Sequence, residues 1–358
     1  VGAIAGNDWR YYGRTPSGTR FAPLDQITPQ NAAGLKVAWT YRTGQVPKPP
    51  EGFVVTPLHV DGVLYGCTQS NVMFAVDADS GQEKWRFDPR ATGTYRPRRC
   101  RGVGYYDAAP KGTPGTPALA DDASALTCKR RIISTTVDAR IVAVDAATGA
   151  PCQDFGDRGF VSLNRGLSDN QTGFYFPTAA PTIVNDMIVV GGPVWDNTQV
   201  GEPSGVVRAF NATTGALVWA WDLGNPGITG LPPEGQTYTP GTPNVWSTPA
   251  FDEALGLVYV PTGNATPDIW GGHRTNADET YSSSVVALDI ATGRERWHFQ
   301  TTHHDIWDYD VPSQPALYDV CEGGYQASGT NEDIELEENS IFSEGQLYHK
   351  SQAIEYWG

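Results

Sequence analysis

One eleven-residue pattern recurs four times and limits what this chain can fold into: AVDADSGQEKW at 75–85, AVDAATGAPCQ at 143–153, AFNATTGALVW at 209–219 and ALDIATGRERW at 287–297. Each copy has Ala, an apolar residue and Asp or Asn, followed by Ser or Thr and then Gly, and three copies end in Trp. NAAGLKVAWTY at 31–41 is a degenerate relative. The starts lie 68, 66 and 78 residues apart. That period is too long for a solenoid coil and suits one four-stranded propeller blade with its loops. An alternating strand enters a tight turn, where the Asp side chain satisfies turn N–H groups and the Gly supplies positive φ. The next strand ends in a Trp that can wedge between neighbouring blades with its N–H on a backbone carbonyl. Short β-branched runs precede the copies: GVLYGCT, RIISTTV, MIVVGGP and GLVYVPT. The fold class is therefore all-β, a propeller. With 40 Gly and 27 Pro among 358 residues, the composition agrees with a turn-rich β protein.

Charge excludes one class of partner. The formal net charge is −15, and an acidic surface repels phosphates, so nucleic-acid binding is not expected. No apolar run approaches the roughly 18 residues of a membrane span, and a membrane anchor is absent from these residues. The opening VGAIAGNDWRYYG lacks the basic region and long apolar core of an intact signal peptide. Five cysteines at 67, 100, 128, 152 and 321 show no zinc-ligand spacing, and their odd number leaves one without a partner in an oxidising compartment. Whether Cys100 joins Cys128 depends on their separation in the fold.

The repeat resembles the tryptophan-docking motif of the pyrroloquinoline quinone (PQQ) dehydrogenases. The resemblance is closest to the membrane-bound glucose, quinate and polyol branch, whose catalytic domain is an eight-bladed propeller. NDWRYYGRTPSGTRFAPLDQITPQNAAGLKVAWTYRTG, CRGVGYYD, ARIVAVDAATGAPCQDFG, GEPSGVVRAF, TGNATPDIWGG and HHDIWDYDVPSQP carry it, over roughly residues 7–320. It implies oxidation of a sugar, cyclitol or polyol by hydride transfer to PQQ, with Ca²⁺ or Mg²⁺ as Lewis acid and a carboxylate as base. Electrons would pass to ubiquinone or another acceptor in the periplasm.

Such chemistry needs a hard cation held by oxygens, a base, cations for the cofactor's carboxylates and a flat platform for its rings. The resemblance assigns the base to Asp305 in HHDIWDYD, with Asp308 and Asp310 as turn caps; by itself Asp305 reads equally as a turn residue. Metal ligands fall on Asp196 and Asn197 in GGPVWDNTQ, Asn264 of TGN, nearby Thr266 and Asp305 itself. Asn264 also reads as a turn residue, and Trp246, the expected platform, as one core Trp among 11. Arg101 is expected to pair with a PQQ carboxylate, and Thr178 to hydrogen-bond the cofactor.

Two departures stand out. A histidine usual in the sugar-oxidising branch is replaced by Pro97, with Arg96, Arg98 and Arg99 around it, and the adjacent cysteines of the alcohol branch are reduced to Cys100. After PSQPALYDV the KTGN lysine does not appear. Residues 321–358 form a divergent acidic tail without a docking repeat, read as disordered, and its one lysine is Lys350. Eight blades need on the order of 500 residues, so residues 1–320 hold four to five. A truncated or frame-altered copy, inactive where half the site is missing, explains this break; the alternative is a chain that pairs its tail across the gap. The rival function is a non-catalytic propeller scaffold of the outer-membrane assembly lipoprotein type.

Overall fold

The computed structural model describes residues 8–48, 51–93, 98–108, 128–168, 173–197 and 201–319, and the strands Ser340–Ser343 and Gln346–His349. Arg96, Pro97, Cys321, Lys350 and most of the tail lie outside the described residues.

Four antiparallel sheets follow one another, each a meander of four sequential strands. The first holds β1 (Leu58–Val60), β2 (Val63–Cys67), β3 (Met73–Asp77) and β4 (Glu83–Phe87). The second holds β5 (Gly104–Asp107), β6 (Arg130–Thr136), β7 (Arg140–Asp145) and β8 (Phe160–Ser162). The third holds β9 (Thr182–Val184), β10 (Met187–Val190), β11 (Val207–Asn211) and β12 (Leu217–Trp221). The fourth holds β13 (Ala250–Asp252), β14 (Leu257–Pro261), β15 (Ser284–Asp289) and β16 (Glu295–Gln300), with one short helix, α1 (Asn276–Tyr281), before β15. A fifth sheet joins β17 (Leu317–Asp319) to β18 (Ser340–Ser343) and β19 (Gln346–His349), in the order β17–β19–β18. Two short strands therefore lie beyond the boundary read at residue 320. The apolar residues sort into four clusters, and each lies between consecutive sheets rather than inside one. Among the described residues no helix is long and apolar enough to cross a membrane.

The repeat turn accounts for this stacking. Asp145 Oδ1 accepts from the N–H groups of Ala147 and Thr148 and from the Thr148 hydroxyl at 2.9–3.1 Å. Asn211 and Asp289 do the same for their turns, and Asp77 holds Ser80 likewise. This is why the pattern fixes Asp or Asn and then Ser or Thr three residues on. The following Gly closes the turn with φ between 67° and 73° at all four copies. It has a second duty. A Cβ on Gly149 would meet the Trp85 ring at 2.7 Å, one on Gly81 the Trp39 ring at 2.5 Å, and one on Gly293 the Trp219 ring at 2.3 Å. Each indole thus lies on the glycine turn of the next blade. Its Nε1 donates to the carbonyl just after the repeat's Asp: Trp39 to Ala78 at 3.0 Å, Trp85 to Ala146 at 2.9 Å and Trp219 to Ile290 at 2.8 Å.

The copy that ends in Gln153 instead of Trp is docked differently. Phe155 and Val161 occupy the space above Gly215. The equivalent carbonyl, Ala212, accepts from the guanidinium of Arg131 at 3.3 Å, and Thr213 accepts from it at 2.6 Å. Arg131 is 2% exposed and also donates to the Cys128 carbonyl and to Asp154. Cys128 pairs with Cys152 beside it, and Cys67 pairs with Cys100, so Cys100 and Cys128 have separate partners. Replacing Arg131 by Leu should strand these buried carbonyls and cost about 2–4 kcal/mol in urea unfolding. A loss below about 0.5 kcal/mol would mean that the disulfide alone carries this junction.

Candidate functional site

The loops after β10, β14 and β16, together with the chains entering β5, β9 and β13, bring together side chains far apart in sequence. A cavity of about 300 Å³ is lined by Arg99, Arg101, Phe176, Thr178, Asp196 and Trp246, among others. That volume is at the lower end of small-molecule sites.

One wall is cationic. The Arg101 carbon Cζ lies 5.0 Å from the Trp246 ring centroid, and its Nη1 donates to the Thr178 hydroxyl. Backbone bonds Arg101 N to Thr178 O and Thr56 N to Arg101 O, at 2.9 and 2.8 Å, fix its segment. Burial, and then the neighbouring charge of Arg99, lowers the Arg101 pKa. The Nε of Arg99 is buried with no partner. Two guanidinium groups thus line the cavity, and the charge of one lowers the pKa of the other.

Other carboxylates gather near Asp196. Asp268 is pushed up to about 7 by burial and then by the charge of Asp196, with Asp308 and Asp310 adding to it. Asp310 is pushed up to about 6, chiefly by burial, with Asp308 and Asp196 contributing. Asp308 is raised by partial desolvation and by the charges of Asp196 and Asp305. Burial first and mutual repulsion second raise these carboxylates, and a cation among them would lower them again. The cluster is open: among the described residues, no three of these carboxylates lie within 4.8 Å of one another. The one group that close, Cys128, Cys152 and Asp154, includes a disulfide, so its cysteines offer no thiolate.

The expected site residues divide. Asp196, Arg101, Thr178 and Trp246 line one cavity. Asn197 adjoins it, with its amide nitrogen donating to Asp268 Oδ2 and its Oδ1 accepting from Asp268 N at 3.0 Å. Thr266 donates to Glu202 at 3.2 Å; Glu202 is wholly buried and was not singled out from the sequence. Asn264 lies nearby, but its Oδ1 already accepts from Ala265 N at 2.8 Å and from Arg274 Nη2 at 3.1 Å.

Asp305 is the main surprise. Its carboxylate is fully buried, and both oxygens are taken: Oδ1 by Trp307 N at 2.9 Å, Oδ2 by the Ser283 hydroxyl and Tyr309 N at 2.7 Å each. It ties its loop together. Asp308, expected only to cap the turn, is exposed and sits at φ 65°. Its charge is felt at Asp268 and Asp310, and it feels that of Asp196. Asn197 at φ 57° and His304 at φ 45° are also left-handed, a conformation that clusters at functional sites. Asp310 has a longer reach than its turn. It accepts from the Trp246 indole at 2.8 Å and from Asn264 N at 2.6 Å, so it sets the ring of the expected platform. Gly263 leaves room for that carboxylate: a Cβ there would lie 2.8 Å from Asp310 Oδ1.

Comparisons with known proteins meet this geometry. A family model described as glucose/ethanol/alcohol dehydrogenase, β-propeller domain, of the PQQ group, matches residues 9–329. Quinoprotein glucose dehydrogenase of Escherichia coli is 42% identical over 330 residues, covering 90% of this chain and 41% of that protein. Quinate/shikimate dehydrogenase (quinone) of Acinetobacter baylyi is 41% identical over 320 residues, covering 87% of this chain and 39% of that one. The solved quinohemoprotein alcohol dehydrogenase from Comamonas testosteroni superposes with a TM-score of 0.67 at 26% identity, over 88% of this chain and 44% of that one. The chain spans about two fifths of the length of the curated relatives it matches.

Proposed function

The chain belongs to the PQQ-linked glucose/ethanol/alcohol dehydrogenase β-propeller family, and from that membership we propose that it forms the PQQ- and cation-binding half-ring of an enzyme oxidising a sugar, cyclitol or polyol alcohol. The reading extends to a periplasmic location and to ubiquinone, or another acceptor, as the electron sink. The observation that carries it is the lining of one cavity: the guanidinium groups of Arg99 and Arg101, the carboxylate of Asp196 and the Trp246 ring, with Asp268 near enough to Asp196 for that charge, after burial, to raise it. Residues of this kind fit a flat polycarboxylate beside a divalent cation. Bound PQQ supplies the hydride acceptor, and Ca²⁺ or Mg²⁺ beside it the Lewis acid.

The chain's own residues do the rest. Arg101 and Arg99 hold carboxylates, with Thr178 fixing the Arg101 fork. Trp246, oriented by Asp310, offers a ring face. Asp196, Asp268 and the amide of Asn197 supply hard oxygens, with Thr266 and Glu202 behind them. Asp308, rather than Asp305, takes the substrate's hydroxyl proton at its free carboxylate. Burial and the neighbouring carboxylates raise its pKa, which suits a base, whereas both oxygens of the fully buried Asp305 already accept from the loop around them.

Titrating PQQ with CaCl₂ into the chain should quench Trp fluorescence, and reduction of an artificial dye should follow with glucose, quinate or glycerol. Arg101→Ala should weaken PQQ binding by about 10- to 100-fold, the loss of a charge-assisted fork worth roughly 1.5–3 kcal/mol. Failure of the wild-type chain to bind PQQ would overturn the reading in favour of a scaffold.

A further inference from the structure

Building on the cation site just proposed, we propose that Arg274 is its placeholder: a positioning residue that holds the Asn264 amide oxygen while the site is free of metal and swings to Asp278 when a divalent cation arrives. The first support is hydrogen-bond saturation. Arg274 Nη2 donates to Asn264 Oδ1 at 3.1 Å, to the Asp305 carbonyl, and at 3.4 Å to the Asp268 carbonyl. The two N–H bonds of one cationic nitrogen are thus shared among three oxygens from two loops of the site. Asn264 Oδ1 has two lone pairs; Ala265 N takes one at 2.8 Å and Arg274 the other. No cation can use that oxygen until Arg274 leaves it.

The second support is what each partner lacks. Nε and Nη1 of Arg274 are buried and have no acceptor. Four residues on, in the first turn of α1, Asp278 is 4% exposed, and its Oδ1 is buried with no donor. Its other oxygen closes the helix cap with Thr275 N and the Thr275 hydroxyl, at 2.8 and 2.9 Å. The Arg274 charge is already felt at Asp278. The other acid of that turn, Glu279, is engaged by His304 at 2.9 Å. A guanidinium with spare donors therefore lies within electrostatic reach of a carboxylate with a spare acceptor. Leaving the three oxygens for Asp278 satisfies both. It also frees a neutral oxygen ligand next to Asp268 for the incoming ion. Such an element has two arrangements, and the cation binds to only one of them.

Calcium alone, titrated calorimetrically into the full chain and its variants, tests this. Arg274→Gln removes the competitor and should tighten calcium binding by about tenfold. Asp278→Asn removes the charge that receives the guanidinium and should weaken it by a similar factor. Opposite signs are the signature. An arginine that merely braces the loops would give weaker binding in both variants, and that result overturns the proposal. If Arg274→Gln shows no cooperative melt, Arg274→Lys takes its place, since an ammonium on a shorter stem cannot span the oxygens of both loops: several-fold tighter binding supports the swing, and unchanged or weaker binding overturns it. Asp196→Asn separates the two layers of inference. If it leaves calcium binding unchanged, or the wild-type chain takes no calcium, the cation site itself is wrong and the swing falls with it. If it abolishes binding while Arg274→Gln fails to tighten it, only the role of Arg274 is wrong.

Discussion

An Asp308→Asn variant, loaded with PQQ and calcium, should lose about 10²- to 10⁴-fold in the rate of substrate-dependent dye reduction while its melting temperature stays within a few degrees of wild type. The amide cannot accept the hydroxyl proton, and little of the fold depends on a side chain that is exposed. Asp305→Asn should show the reverse emphasis. There an NH₂ group would face the Ser283 hydroxyl or the N–H groups of Trp307 or Tyr309, all now donating to the carboxylate. A donor set against donors in a fully buried place should cost roughly 2–4 kcal/mol of stability. Activity would then fall through disorder of the 305–310 loop, and loss of activity would track loss of folded protein. If Asp308→Asn turns over normally and Asp305→Asn is stable but dead, the assignment reverts to Asp305.

That pair marks the limit of what the sequence shows. The motif HHDIWDYD announces acidic chemistry, and the structure places it beside the cavity residue Asp196. Which of its three carboxylates faces outward is decided by backbone direction. Left-handed residues at His304 and Asp308 turn the loop so that Asp305 points in and Asp308 out. No residue pattern encodes that turn, because Asp and His reach such φ values only when the surroundings require it. Arg274 was missed for a related reason. An arginine in a Gly- and His-rich loop carries no period and no spacing, and its importance comes from three oxygens supplied by residues 264, 268 and 305. The blades, by contrast, were legible, because each copy of the repeat contains its own turn chemistry. Asp, Ser or Thr, and Gly perform local tasks that do not depend on the rest of the chain. The replacement of the missing Trp by Arg131 could not be read, since donor and acceptor are 81 residues apart.

The largest stability effect should come from Trp219→Ala. The indole is 2% exposed, lies on the Gly293 turn of the next blade and donates to the Ile290 carbonyl at 2.8 Å. Truncation leaves a cavity between the third and fourth sheets and strands that carbonyl, so roughly 3–5 kcal/mol should disappear from urea unfolding. A burial term alone would predict the same sign for any core aromatic, so the sharper check is a double-mutant cycle with Gly293→Ala. In the wild-type background the new methyl meets the indole at 2.3 Å and sits at φ 67°. It should cost about 1–2 kcal/mol for the left-handed backbone and about 1–3 kcal/mol more for the clash. Once Trp219 is gone, the methyl enters the space the ring vacated and only the backbone part remains. The two substitutions should therefore couple favourably by about 1–3 kcal/mol. Strict additivity would mean that ring and turn do not bear on each other, and that the glycine of the repeat serves its own turn alone.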